Sequence, residues 1–201
     1  MRRRTLLYLM ITLLNISAFT QVKVTSLRCE MLTNPLGIDV AQPGFSWQLE
    51  SKLRDVSQIG YQIIVSSSEQ KLKYNIADIW NSGAITTGNS LLISYGGPPL
   101  QSSTKYFWKV KVITNKGPFD TEEVAFFTTG LLNTSDWKAK WIGYDKASPW
   151  DSITQWSRLS ARYLRKEFSS GLTIKRATVY VAGLGMYELW MNGKKIGDQG
   201  A

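Results

Sequence analysis

The 201-residue sequence contains no histidine and a single cysteine, Cys29. Without histidine, Ser-His-Asp and Cys-His nucleophile arrangements are excluded, and so is a zinc site built on His and Cys. One cysteine cannot close an internal disulfide, so cysteine usage carries no mark of an oxidising compartment. Cys29 is also a poor lipid-attachment residue, because Arg28 stands directly before it and the apolar N-terminal run lies well upstream. A buried strand thiol is expected instead. P-loop, GxGxxG and GxSxG motifs are missing, as are internal repeats and low-complexity tracts. Gly183-Leu184-Gly185 is the nearest approach to a glycine-rich loop, but it joins two expected strands and reads as a turn. No cofactor and no metal are expected.

Acidic residues are the minority: 15 Asp and Glu face 24 Lys and Arg, for a net charge of +9. Arg2, Arg3 and Arg4 belong to a targeting segment, and removing them leaves +6. Residues 21–130 are nearly neutral, so the excess sits in 131–201. Nucleic-acid binders gather their basic residues on one face or helix. Lys109 and Lys111 instead alternate with apolar residues, as a solvated strand face does, and no nucleic-acid partner is expected.

Long apolar runs are lacking too. Residues 5–16 form the longest, behind the three arginines and ahead of Ser17-Ala18-Phe19-Thr20. A basic start, a short apolar stretch and small residues at Ala18 and Thr20 make residues 1–20 a secretory signal peptide cleaved before Gln21. The alternative, an uncleaved anchor, asks a short run to cross a bilayer that needs about 20 apolar residues. The mature chain is therefore expected to be exported, to the periplasm or outside the cell, with no membrane partner after cleavage.

What is present is aromatic and strand-like. Hydrophobic residues make up 43% and aromatics 12%, with eight Trp and nine Tyr, while the charged share of 19% suits a folded chain. Short runs at 24–32, 45–49, 60–66, 79–83, 90–95, 104–113 and 123–128 are separated by Gly, Pro, Asn and Asp. Residues 104–113 are the clearest: Tyr106, Trp108, Val110 and Val112 face one way, and Lys105, Lys109 and Lys111 the other. Residues 115–118 make a turn. Seven such strands predict a two-sheet sandwich over residues 21–131. Residues 132–146 read as a connector that docks, since Trp137 and Trp141 are too apolar to leave in water. A second β pattern follows at 163–168, 177–182 and 186–191, with Asn192-Gly193 as a hairpin turn. It makes 147–201 the start of a second β unit.

Local chemistry is sparse. An inverting glycosidase needs two carboxyls about 6.5–9.5 Å apart, one of them with a raised pKa. Glu122 and Glu123 are adjacent on an expected strand and point to opposite faces. Asp145 and Asp151 lie in a loop with no visible partner, and all four read as solvated surface. No catalytic residue is assigned. Trp150, Trp156 and Trp190 are the candidates for contact with a sugar or with a neighbouring domain.

Two resemblances add to this reading. Trp47, the Tyr106-x-Trp108-x-Val110 strand and Leu100 six residues before Tyr106 resemble the core pattern of a fibronectin type III domain. The phrases Asn34-Pro35-Leu36-Gly37-Ile38-Asp39, Pro43-Gly44-Phe45-Ser46-Trp47, Ile79-Trp80-Asn81-Ser82-Gly83, Asp136-Trp137-Lys138-Ala139-Lys140-Trp141-Ile142-Gly143 and Tyr187-Glu188-Leu189-Trp190-Met191-Asn192-Gly193 resemble, in order and spacing, the N-terminal region of bacterial α-L-rhamnosidases. That resemblance covers residues 24–198, and it implies that 147–201 is an incomplete, sugar-binding-like β-sandwich of jelly-roll type. It implies a parent enzyme that hydrolyses terminal α-L-rhamnosyl groups of glycans by inversion. A general acid and a general base would sit in a separate helical barrel further along the chain, and no residue here matches them. The implied partners are that downstream catalytic domain and a rhamnose-containing glycan. The alternatives are a free-standing secreted carbohydrate-binding module and a receptor-type interaction module.

Overall fold

The computed structural model describes residues 22–121, 123–144, 146–151, 160–171, 173–174 and 176–197. The expected signal peptide, Glu122, Asp145 and Trp156 lie outside the described residues. The chain divides into two compact units, Met1–Asp136 and Trp137–Ala201.

The first unit is an antiparallel sandwich. One sheet is formed by β1 (Val22–Cys29), β2 (Gly44–Ser51) and β5 (Ile93–Ser94), in the order β1-β2-β5. The other places β4 (Trp80–Asn81) beside β3 (Gln58–Ser66), and β3 beside β6 (Lys105–Thr114). The far edge of β6 carries β7 (Gly117–Asp120) along one half and β8 (Ala125–Thr128) along the other. Three strands against five make a two-sheet sandwich of the kind seen in fibronectin type III and immunoglobulin-type modules.

Sequence alternation becomes packing most directly in β6. Tyr106, Trp108, Val110 and Val112 are buried, while Lys111 is exposed and Lys105 and Lys109 half-buried. The buried side chains meet those of the other sheet: the Phe45 and Trp108 rings lie 4.5 Å apart, and Trp47 meets Tyr61 edge-on at 5.1 Å. The Trp108 indole N–H is buried without a hydrogen-bond partner, so what this residue contributes is packing. Tyr106 accepts a 2.8 Å bond at its hydroxyl from the Gln101 backbone N–H, the tyrosine-corner geometry, with Leu100 buried beside the core.

Two features depart from the sequence expectation. The strand expected at 123–128 forms as β8, and a further strand, β7, begins within the turn expected at 115–118, making eight in this unit. Trp108 pairs with Ala125 and Lys111 with Asp120, so two residues of β6 face four of the neighbouring chain. The excess is taken up where Thr121 Oγ1 bonds to both the N–H and the carbonyl of Glu123, a side-chain substitute for ladder pairing. A short helix, α1 (Glu69–Lys73), was also not anticipated. Ser68 caps it by accepting from the Lys71 N–H at 3.3 Å, and Leu72 is its buried anchor.

Between β1 and β2, which pair in one sheet, the chain reaches across to the edge of the other sheet and returns. Ser26 takes a left-handed φ of 53° at a bulge in β1. Residues 34–38 then run along the open edge of β8: Asn34 Oδ1 accepts from Phe126 N–H at 2.9 Å, Pro35 O from Thr128 N–H at 3.0 Å, and Ile38 O from Gly130 N–H at 2.7 Å. Gly37, at φ 72°, turns the chain so that its N–H reaches Thr128 Oγ1 at 2.8 Å. Unpaired strand edges template pairing with other chains, and this segment covers one of them.

In the second unit the described strands are β9 (Leu189–Met191) and β10 (Lys194–Ile196), paired as a hairpin. Asn192 and Gly193 have φ of 48° and 76°, the two positive values a type I′ turn requires, so the Asn-Gly signal is realised. The strands expected at 163–168 and 177–182 do not form among the described residues, which have no regular secondary structure there. Leu132 packs against the core, and Asp136 Oδ2 accepts from Ser102 Oγ at 2.5 Å, but Trp137 is exposed and Trp141 is 69% exposed.

Candidate functional site

The two tryptophans that can be placed lie in different settings. Trp150 is 78% exposed in a turn beside Asp151, and no ring contact joins it to Trp190. Trp190 is 55% exposed on β9 and belongs to a cluster. Side chains alternate across a strand, so Glu188 and Trp190 share one face while Leu189 and Met191 share the other. Lys195 pairs directly with Trp190 across the hairpin. Glu188 gathers the group: its Oε2 accepts from Trp190 Nε1 at 3.2 Å and its Oε1 from Lys195 Nζ at 2.6 Å. The Lys195 bond, then the indole N–H bond, hold the Glu188 carboxyl below its usual pKa.

Asp151 corrects the expectation of a solvated loop acid without a partner. Its side chain is 2% exposed and pairs with Arg162 at 3.0 Å. It also accepts from Ser160 Oγ, from the Ser148 N–H at 2.6 Å and from the Ser160 N–H at 3.0 Å. Arg162 further donates to Lys146 O at 2.9 Å. The Ser160 hydroxyl, the Ser148 N–H and Arg162 hold the Asp151 carboxyl well below the ordinary carboxylate range. This is a loop clamp, and nothing in the local spacing of the sequence announces a pair eleven residues apart.

Among the described residues, every resolved carboxylate shift runs the same way. Glu69 is lowered by its bond with Lys73. For Asp78, burial pushes upward, but hydrogen bonds from Lys71 and Ser67 outweigh it and bring the group down to about 2. A glycosidase acid needs the opposite, a carboxyl kept protonated near neutrality. Among the described residues no group of three or more His, Cys, Asp or Glu could hold a metal ion. No helix there is long and apolar enough to cross a membrane. A groove of about 540 Å³ in the first unit is lined by one loop, residues 30–40, with Leu32 and Leu36 exposed. Polar groups from several elements do not converge in it as they do in a reactive site.

The architecture is that of an immunoglobulin-superfold sandwich followed by a second unit whose described strands form a β hairpin. The chain belongs to the family described as Rha78A-like, N-terminal immunoglobulin domain, which matches residues 24–133. The family described as alpha-L-rhamnosidase N-terminal domain matches residues 172–200. Among similar proteins, an alpha-L-rhamnosidase of Formosa agariphila is 34% identical over 181 residues, covering 83% of this chain and 19% of its own. One of Alteromonas sp. (strain LOR) is 36% identical, with shares of 87% and 19%. Among solved structures, the alpha-L-rhamnosidase of Dictyoglumus thermophilum superposes with a TM-score of 0.58 at 37% identity, over 65% of this chain and 15% of that one. The Streptomyces avermitilis enzyme complexed with L-rhamnose gives 0.57 at 37%, over 66% and 13%. The chain thus spans about a fifth of the length of the curated relatives it matches.

Proposed function

We propose that this chain is the non-catalytic N-terminal portion of a secreted α-L-rhamnosidase-like enzyme. Its first unit serves as a scaffold, and its second unit opens a further β domain. Hydrolysis of terminal α-L-rhamnosyl groups, with inversion, belongs to a helical-barrel domain on the same longer polypeptide. The observation that carries this is the pairing of two facts: the relatives are rhamnosidases about five times longer, and the resolved carboxylate shifts here are all downward. An acid held ionised by Lys or Arg cannot donate a proton to a leaving glycosidic oxygen near neutral pH.

Assay of an aryl α-L-rhamnoside tests it. The 201-residue chain is expected to give no turnover above buffer, and the polypeptide extended to the length of its relatives to hydrolyse the substrate. Turnover that copurifies with the short chain and is lost on mutating one of its acids overturns the reading. Export rests on Arg2–Arg4, the apolar run and the small residues Ala18 and Thr20. Mature protein is expected to begin at Gln21 on N-terminal sequencing, and an intact Met1 recovered from membranes refutes that.

A further inference from the structure

We propose that residues 129–136 form a latch, closed by Ser102 and Asp136, that makes the chain's exit from the first unit a rigid mount and not a flexible tether. The density of fastening is the first reason. The buried Thr129 accepts at its hydroxyl from the Thr104 N–H at 3.0 Å and donates to the Gln101 carbonyl at 2.5 Å. Its backbone N–H reaches the Thr104 carbonyl at 2.9 Å, and the Gly130 carbonyl accepts from the Ser103 N–H at 2.9 Å. On the other side Gly130 lies against the segment at residues 34–38, where a Cβ in its place would meet the Gly37 carbonyl oxygen at 3.0 Å. The exit is thus gripped by two loops that are themselves fixed, one through the Tyr106 corner bond and the other through its bonds to β8.

The closing pair is the second reason. β8 ends at Thr128, and chain past the last strand of a domain is poorly ordered unless something ties it down. Leu132 packs against the core, and its N–H donates to Ser102 Oγ at 2.8 Å. The same hydroxyl donates to Asp136 Oδ2 at 2.5 Å. That carboxylate oxygen also accepts from the Asn133 N–H at 3.2 Å and from Asn133 Nδ2 at 3.1 Å. Ser102 therefore serves as donor and acceptor at once, and binds both ends of the segment that contains the 3-10 turn Thr134–Asp136. Hydrogen bonds to a carboxylate are stronger than those between neutral groups.

Domain ends and loops belong to the low end of local stability, and this exit is built against that tendency up to Asp136, the last residue of the first unit. The chain beyond it starts from a fixed point on the sandwich. The latch stands on the first unit alone and does not depend on the function proposed above.

Backbone amide exchange of the whole 201-residue chain tests it, read by mass spectrometry on peptides covering 130–136 and β6. The 130–136 peptides are expected to exchange at least about tenfold more slowly than a free peptide of the same sequence. Ser102→Ala and Asp136→Ala should each speed that exchange about tenfold while β6 keeps its protection. Ser102→Thr, which retains the hydroxyl, should stay close to wild type. Wild-type exchange at the free-peptide rate overturns the latch, and so does unchanged exchange in both alanine variants. Protection lost in β6 to the same degree as in 130–136 overturns it too, because the two residues would then be ordinary contributors to the stability of the whole sandwich.

Discussion

Similar alternation meets two different outcomes in the two units. In Met1–Asp136, the apolar residues of β6 lie between β3 on one side and β7 and β8 on the other, and face β2 across the sandwich. In Trp137–Ala201, Val179 and Val181 alternate in the same way, yet both are exposed and lie in no strand. Every buried apolar residue among those described falls between Val22 and Phe127. Alternation records which face of a strand could be covered. Whether it is covered depends on a second layer, and a strand without ladder partners leaves its backbone groups to water.

The largest effect that would break this comparison is at Trp108. Truncation to alanine is expected to cost about 3–5 kcal/mol, as large core deletions do. That is a sizeable part of the roughly 5–15 kcal/mol available to a domain. Trp141→Ala, at an exposed position in the second unit, should change stability by less than about 0.5 kcal/mol. Urea unfolding of both variants checks it, and equal losses would mean the two units share one core.

A smaller effect sharpens the description of the first unit. Tyr106→Phe keeps the ring stacked on Phe127 at 5.4 Å and removes only the bond from Gln101. The expected loss is about 1 kcal/mol, and no change would mean that the corner bond adds nothing net to stability in solution.

Cys29 reports on the same core without mutation. Burial, with the Glu30 carboxylate adding to it, pushes the thiol up to about 12. Native protein at about pH 8 should therefore resist thiol-specific disulfide reagents and become reactive on unfolding. The sign for stability follows from the raised value. The unfolded chain ionises first, from about pH 9, so the native state loses ground between there and about 12. Fast labelling of the native chain would place Cys29 outside the core.

The smallest effect is electrostatic. Asp78 titrates near 2 in the folded state against 3.8 as its ordinary value, so its contribution is present above the latter and fades as pH falls toward the former. Lys71→Ala should lower stability slightly near neutrality, and the difference from wild type should vanish by about pH 2. A constant offset across that range would assign Lys71 a packing role instead.

The legible parts of the fold were those with a local signature. The β6 alternation and Asn192-Gly193 each carry their meaning within a few residues, and Leu100 with Tyr106 spans only six. The two-residue excess between β7 and β8 was not legible, because it depends on register against β6 and not on composition. Helix α1 is too short for periodicity, although Ser68 followed by Glu69 was an available cap signal. Asp151 was misjudged because its partners Ser160 and Arg162 stand nine and eleven residues further along, beyond the reach of any local pattern. Of the candidate tryptophans, Trp190 was singled out for its residue type alone; the Glu188 and Lys195 contacts required the hairpin register.

The segment at residues 34–38 constrains when the first domain can finish folding. Its hydrogen bonds run to Phe126, Thr128 and Gly130, partners more than ninety residues further along the chain. Chains emerge N-terminus first, and contacts so distant in sequence must wait for loop closure. Until Gly130 is available, β6 lacks the strand that seals its edge and residues 34–38 have nothing to bind. The early strands must therefore remain unsealed through most of the domain's emergence, and closure arrives late and all at once.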